Sequence, residues 1–400
     1  PVEKRPMLIS MRLPDRTGML LPVLEVLDRS QINISYMSSE ADGSGWQDYR
    51  MAMQIDDPAL TKRLLDEISA LCEVRVLDYD PTEKILDNTV FYLSFSNEMG
   101  RLLHLDAAQT SSFIVNANLI MQMLDERGEA PYKTFEYIRR FALFIAKYKG
   151  DAYRPIVKTR ALSDRVTVTA IEPPCGSNTF VLECDGELLL VDGGFPCYRD
   201  ELHTLLCELY DGFDARVKTM ALTHADIDHI GLAPLFERVL GNADIRQNFV
   251  LESGHKPDWR EQTRYNAPYC RLSKLIAGYT PFAPERVEVI GQKVDDAPLS
   301  YIGAIHFGDL DLAAYQGNGG HVRGETVLVC REHKLAFTGD NLVNIRGFSR
   351  EQAAFNRLAP YLMTSVNVDS EKATVIRKEL EQRLRGYTIF PGHGDLFENE

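Results

Sequence analysis

From residue 163 onward this chain repeats one device. A short apolar β run stops, and a histidine or aspartate stands on the turn that follows. "LLLVDGG" leads to Asp192, "MALTHADIDHIG" to His224 and its neighbours, "LAFTGD" to Asp340, and "TIFPGH" to His393. "GNGGHVRGE" sets His321 on a glycine loop between two further β runs. Helical stretches such as "RDELHTLLCELY" and "DSEKATVIRKELEQRL" lie between the strands, which predicts a layered domain of sheets and helices. Polar side chains placed where strands stop borrow the rigidity of the sheet, which is what a catalytic site requires.

The densest motif is "LTHADIDHIG". His224 and Asp226 are two residues apart, so an extended backbone points both the same way. Asp228 and His229 then face a second centre. Imidazole and carboxylate groups at this density suit a metal site, and five strand-end turns of this kind in one domain argue that they converge on it. His203, His255, His306 and His333 match no such pattern and read as surface or satisfied residues, His255 being the one nearest to a pocket-forming loop.

Composition narrows the partners. The 400 residues carry a formal net charge of −14, which disfavours an extended nucleic-acid or anionic-membrane surface. No run approaches the roughly 18 apolar residues of a membrane span, and the first residues lack the apolar core of a secretory signal. Seven scattered cysteines without a CxxC pair suggest free thiols in the cytoplasm, with Cys175, Cys184 and Cys330 as small buried hydrophobes.

The first 80 residues alternate differently. "MLISMRL", "INISYMSSEA", "GWQDYRMAMQID" and "CEVRVLDYD" read as strands, and "MLLPVLEVLDRSQ" and "DPALTKRLLDEISAL" as helices. The order is β-α-β-β-α-β, a small sheet with helices on one face. Residues 81–162 form a helical connector in this reading, with an apolar stripe of Phe135, Ile138, Ala142 and Ile145 for a core or a dimer face.

Two resemblances follow from these motifs. Residues 163–400 resemble the metallo-β-lactamase-fold hydrolase superfamily, on "GSNTFVLE", "LLLVDGG", "THADIDHIG", "GGHVRGE", "FTGD" and "PGHGD" in that order. The resemblance implies an αββα sandwich in an α+β chain, with two divalent metal ions at one edge. Carried over residue by residue, the first metal takes His224, Asp226 and His321. The second takes Asp228, His229 and His393, Asp340 bridges the two, and Asp192 orients the ligand loops. Residues 1–80, with "PDRTGMLLPVLEVLDRSQINI", resemble an ACT domain, a regulatory module that binds amino acids at a dimer interface. That implies an amino-acid effector near Asp15, Gly18 and Asn33, and a homodimer or larger assembly.

The chain departs from the superfamily pattern at Asp226, where most of its hydrolases have histidine. Oxygen ligands favour harder ions, so the expectation widens from zinc to iron or manganese. The expected activity is hydrolysis of a small-molecule ester, thioester, lactone, amide or phosphoester, with Asp228 orienting the attacking group or passing a proton to the leaving group. The competing reading is a di-iron oxidoreductase, because the flavodiiron branch carries a carboxylate at the corresponding place. The segment 252–282, with Lys256, Trp259, Arg260, Arg264 and Tyr265, is either an anion-holding wall of the pocket or a solvated helix face.

Overall fold

A computed structural model describes residues 7–41, 45–53, 55, 57–78, 95–129, 131–358 and 366–400. The chain divides into two compact units, Pro1–Pro131 and Tyr132–Glu400.

In the first unit the order is β1 (Met7–Pro14), a helix (Leu21–Arg29), β2 (Ile34–Ala41), β3 (Trp46–Met53), a helix (Pro58–Ser69) and β4 (Glu73–Asp78). The sheet order is β2-β3-β1-β4, antiparallel throughout, which is the split β-α-β arrangement. Along β1, Met7, Ile9, Met11 and Leu13 are buried while the residues between them are partly exposed. That period of two means one face carries the helices. The helices return Val23, Val26, Leu27, Leu64, Leu65 and Ile68 to the same core. Asp57 starts the second helix by accepting the Ala59 N–H at 2.9 Å, with Pro58 at its first position.

Of the helical connector expected over residues 81–162, residues 81–94 lie outside the described residues; the helix Ala107–Glu126 belongs to the first unit, and the helix Pro131–Lys147 belongs to the second from Tyr132 onward. In the latter helix Phe135, Ile138, Ala142 and Ile145 are all buried. Phe141 packs against Phe195 and Phe355, with ring centroids 6.1 and 5.4 Å away, so this face is core of the second unit. Ile156–Ala161 is strand β5, an edge strand whose residues are all exposed. It has no buried face to imprint an alternation, which is why the sequence pattern starts one strand too late.

The second unit is built on two sheets. One has seven strands in the order β11-β10-β9-β8-β7-β6-β5, comprising β6 (Thr167–Glu172), β7 (Thr179–Cys184), β8 (Glu187–Val191), β9 (Lys218–Ala221), β10 (Val239–Gly241) and β11 (Val287–Val289) besides β5. The other runs β12 to β17 in sequence order: Leu299–Phe307, Leu310–Gly317, Thr326–Cys330, Leu335–Gly339, Tyr387–Pro391 and Phe397–Asn399. Strands β8 to β11 pair in parallel, as do β15 and β16; the remaining pairs are antiparallel.

Alternation assigns the layers. In β8, Leu189 and Val191 join Phe180, Leu182, Leu328, Phe337 and Phe390 in a core shared by both sheets, whereas Leu188 and Leu190 face the other way. There they meet Leu202, Leu206, Ile245 and Phe249 from the helices Arg199–Leu209 and Ala243–Ser253. In β14, Leu328 and Cys330 face the shared core, while Val327 and Val329 meet Ile376 and Leu380 of the helix Ser370–Arg383. Both faces of each sheet are therefore covered, and the layers are helix, sheet, sheet, helix. Phe337 and Phe390 stack at 4.8 Å between centroids, and Phe180 meets both edge-on at 5.4 Å, which locks the sheets together beneath the strand ends. Truncating such a buried ring typically costs about 3–5 kcal/mol.

Candidate metal centre

The strand-end residues meet at one edge of the sandwich. Strands β8, β9, β15 and β16 end at Val191, Ala221, Gly339 and Pro391; Asp192 and Asp340 come directly after the first and third, His393 follows the fourth by two residues, and the His224–His229 turn begins three residues after the second. His321 comes from the loop after β13.

His224, Asp226 and His321 offer ligand atoms on one side: Asp226 Oδ2 lies 3.5 Å from His224 Nε2 and 3.2 Å from His321 Nε2. Asp228, His229 and His393 form a second group, with His393 Nε2 at 3.3 Å from Asp228 Oδ2 and His229 Nε2 at 4.0 Å from it. Asp340 lies between the groups. Its Oδ1 is 3.3 Å from His229 Nε2, and its Oδ2 is 3.4 Å from both His321 Nε2 and His393 Nε2. All seven residues expected from the sequence thus surround one centre.

The imidazoles are held with Nε2 inward. Asp192, 2% exposed, accepts the Thr223 N–H on Oδ1 at 2.8 Å, and on Oδ2 the Thr223 hydroxyl at 2.7 Å and the His229 Nδ1–H at 2.8 Å. Because the Thr223 hydroxyl hydrogen is spent on Asp192, its oxygen accepts the His224 Nδ1–H at 2.9 Å. One carboxylate therefore sets both rings with their Nε2 lone pairs toward the centre. Asp192 has φ of +59°, a conformation tolerated by Asp and here justified by three hydrogen bonds. His321 donates from Nδ1 to Asn367 Oδ1 at 3.2 Å.

Three buried atoms, His224 Nε2, His229 Nε2 and Asp340 Oδ1, make no hydrogen bond. Lone pairs left facing one another in a buried space are costly unless something positive binds them, so the donor set fits a metal ion. Charge points the same way. Burial opposes ionisation of Asp340, yet His393 and His229 outweigh it and hold its carboxyl well below the usual range. Burial likewise disfavours a charged His393, but Asp340 and Asp228 push that imidazole up to about 10. His224 is lowered, by burial first and by neighbouring His229 second. A cation and protons compete for these same atoms.

Three further residues complete the frame. Glu325, buried, accepts Gly319 N–H and Gly320 N–H on Oε1 at 2.9 and 2.7 Å and His321 N–H on Oε2 at 2.8 Å, which ties the His321 loop. Gly392 has no room for a side chain, since a Cβ would collide with Asp340 Oδ1. Arg260 grips Asp226: Nε–H donates to Oδ1 at 2.9 Å, and a terminal nitrogen binds Oδ2. Of the two alternatives for this segment, an anion-holding wall or a solvated helix face, Arg260 matches neither as it stands, since its fork is on the Asp226 carboxylate and its side chain is 12% exposed. Of the other residues of that segment, Lys256 is exposed and Trp259 is part-buried beneath Arg323, whose guanidinium sits 4.3 Å above the ring. His255 is exposed at the turn after the helix Ala243–Ser253. Arg260 lies 34 positions from Asp226, and nothing local in the sequence announces the pair. Glu325 stands four residues after His321, a spacing that would have flagged it as a loop carboxylate.

In the first unit Asp15, Gly18 and Asn33 are all exposed. Gly18 has φ of +88° with open space where a Cβ would stand. Cys175, Cys184 and Cys330 are buried free thiols, as expected. No described helix is long and apolar enough to cross a membrane.

No curated protein matches the sequence. Among solved structures the chain is similar to a metallo-beta-lactamase from Pontibacter korlensis, at 16% identity over 61% of this chain and 94% of that one, TM-score 0.39. It is similar also to a HARLDQ-motif metallo-beta-lactamase from Cronobacter sakazakii (20% identity, 63% and 81% coverage, TM-score 0.37). A third is a flavoprotein from Thermotoga maritima (13% identity, 61% and 58% coverage, TM-score 0.38), of which the chain thus spans little more than half. The family model described as "Metallo-beta-lactamase superfamily" matches residues 173–393, more than half of the chain and every strand-end residue of the centre, and the chain belongs to that superfamily.

Proposed function

We propose that this protein is a metal-dependent hydrolase of a small-molecule ester, thioester, lactone, amide or phosphoester. The observation that carries the reading is the inward set of unpartnered buried atoms, His224 Nε2, His229 Nε2 and Asp340 Oδ1, within one ring of seven donor residues. His224, Asp226 and His321 would hold one ion, Asp228, His229 and His393 a second, and Asp340 would touch both. A divalent cation bound there supplies Lewis acidity, lowering the pKa of water and polarising a carbonyl or phosphoryl oxygen.

The chain's own groups do the rest. Asp192 and Thr223 hold the rings, and Glu325 holds the His321 loop. Asp228, whose side chain is 19% exposed, stands at the open side of the centre and is the group placed to take a proton from water and return it to a leaving group. Its carboxyl lies below the usual range, since His229 and His393 outweigh the effect of burial, so it stands ionised. The test is Asp340→Ala. Loss of both bound metal and turnover on ester, thioester and phosphoester panels is expected; unimpaired turnover with unchanged metal content would sink the assignment.

A second reading, a di-iron oxidoreductase, rests on the Asp226 carboxylate. Arg260 already neutralises that charge, so the hydrolase stands first. About two irons per chain with an oxo-bridge absorption would reverse the order. For the first unit we propose an amino-acid-responsive ACT-like module that also favours a dimer. Its assay is a thermal-shift screen of the full chain against the free amino acids, and a flat response across all of them would remove the proposal.

A further inference from the structure

Arg260 differs from an ordinary surface arginine in how it is delivered. Its two neighbours toward the chain start and its neighbour toward the chain end are each fastened. Trp259 donates its backbone N–H to Asn248 Oδ1 at 3.0 Å and its indole N–H to Asp244 O at 2.9 Å. Asp258 and Glu261 both bind the Lys274 ammonium, Glu261 at 3.0 Å, and Lys274 also meets Glu252 at 2.8 Å. The Arg260 side chain is only 12% exposed. A built scaffold therefore aims this guanidinium into the centre.

Its targets are the donor atoms of one metal position. Besides its fork on Asp226, the terminal nitrogen that binds Oδ2 lies 2.9 Å from His321 Nε2, and the other terminal nitrogen donates to Val366 O at 2.7 Å. Asp226 Oδ2 and His321 Nε2 are two of the three ligand atoms in the group with His224. In the other group, Asp228 pairs with the imidazoles of His229 and His393. A planar fork fixed on a carboxylate is hard to displace, and it repels a second cation close by.

Resting on the metal-hydrolase reading, we propose that Arg260 makes the two metal positions unequal. The position of Asp228, His229, His393 and Asp340 fills first and tightly, and the position of His224, Asp226 and His321 fills weakly, because the guanidinium competes for Asp226 and His321. The histidine-to-aspartate departure at 226 then creates the partner for a built-in cation as well as an oxygen ligand.

The experiment is a calorimetric titration of chelator-stripped, full-length protein with Zn²⁺ alone, with retained metal counted by elemental mass spectrometry after desalting. The wild type is expected to retain about one ion per chain and to show a second step at least tenfold weaker. In Arg260→Gln the uncompensated Asp226 carboxylate recruits a cation, so the second step tightens roughly tenfold or more. Arg260→Lys, which keeps the charge without the fork, falls between. Two inseparable tight steps in the wild type, or a weaker second step in Arg260→Gln, would overturn the proposal. No Zn²⁺ binding by the wild type above an Asp340→Ala control would instead remove the metal-hydrolase reading beneath it. The wild-type titration stands by itself should the variants unfold.

Discussion

Asp192→Asn removes one oxygen and no volume, and it should cripple metal binding without reaching the metal. All three partners of Asp192 are donors: Thr223 N–H, the Thr223 hydroxyl and His229 Nδ1–H. An asparagine amide can accept on one side only. With its oxygen at the Oδ2 place, its NH₂ faces the Thr223 N–H; turned over, it faces two donors at once. Each buried donor left unpaired costs about 1–3 kcal/mol. In a unit of this size that lowers the melting temperature by roughly 2–4 °C per kcal/mol. The second effect separates a structural prop from an orienting group. With His229 no longer held through Nδ1, and the Thr223 hydroxyl released from its role toward His224, both Nε2 atoms lose their fixed aim. Removal of such an orienting partner typically costs 10–100-fold in metal affinity, or about 1.4–2.7 kcal/mol. The assay is competition for Zn²⁺ against a chromophoric chelator, run beside thermal unfolding of the metal-free protein. An Asp192→Asn protein that melts early yet binds Zn²⁺ with wild-type affinity would refute the orienting argument.

Two other perturbations follow from the same geometry. Burial pushes the Glu252 carboxyl up to about 7, against the pull of Lys274 and Tyr279, and the neighbouring Asp258 carboxylate adds to the rise. A pKa raised in the folded state means stability present below the unfolded value and lost as pH rises through about 7; Glu252→Gln should therefore match the wild type in melting temperature near pH 5 and exceed it at pH 8, and equal melting at both pH values would contradict this. Glu325→Gln turns an NH₂ toward at least one of three loop N–H groups, so it should destabilise by about 1–3 kcal/mol and weaken the His321 position while sparing the other; a Zn²⁺ titration showing both steps unchanged would exclude that role.

Much of the centre was legible because its residues sit directly after strands whose two faces are both buried. Leu188–Val191 and Leu335–Phe337 are unbroken apolar runs within buried strands, and an acidic residue shortly after such a run is conspicuous in sequence. The order of Asp192, His224, Asp226, Asp228, His229, His321, Asp340 and His393 along the chain carried the fold with it. Arg260 was visible as a basic residue but not as the partner of Asp226, since the pairing is made by tertiary packing of a segment with no strand of its own. The short strand Val239–Gly241 and the fully exposed Ile156–Ala161 left no usable periodicity. In the first unit the alternation of Met7, Ile9, Met11 and Leu13 made β1 plain, whereas the exposed Asp15, Gly18 and Asn33 carry no packing signature that would reveal a ligand.

The most direct test of the account is the metal content of the full-length protein, purified without chelators or affinity-metal contact, with Asp340→Ala alongside. The account predicts about one firmly held divalent ion per chain in the wild type, none in Asp340→Ala, and hydrolysis that chelation abolishes and metal restores. Wild-type protein free of metal, or equal metal in both proteins, would contradict it.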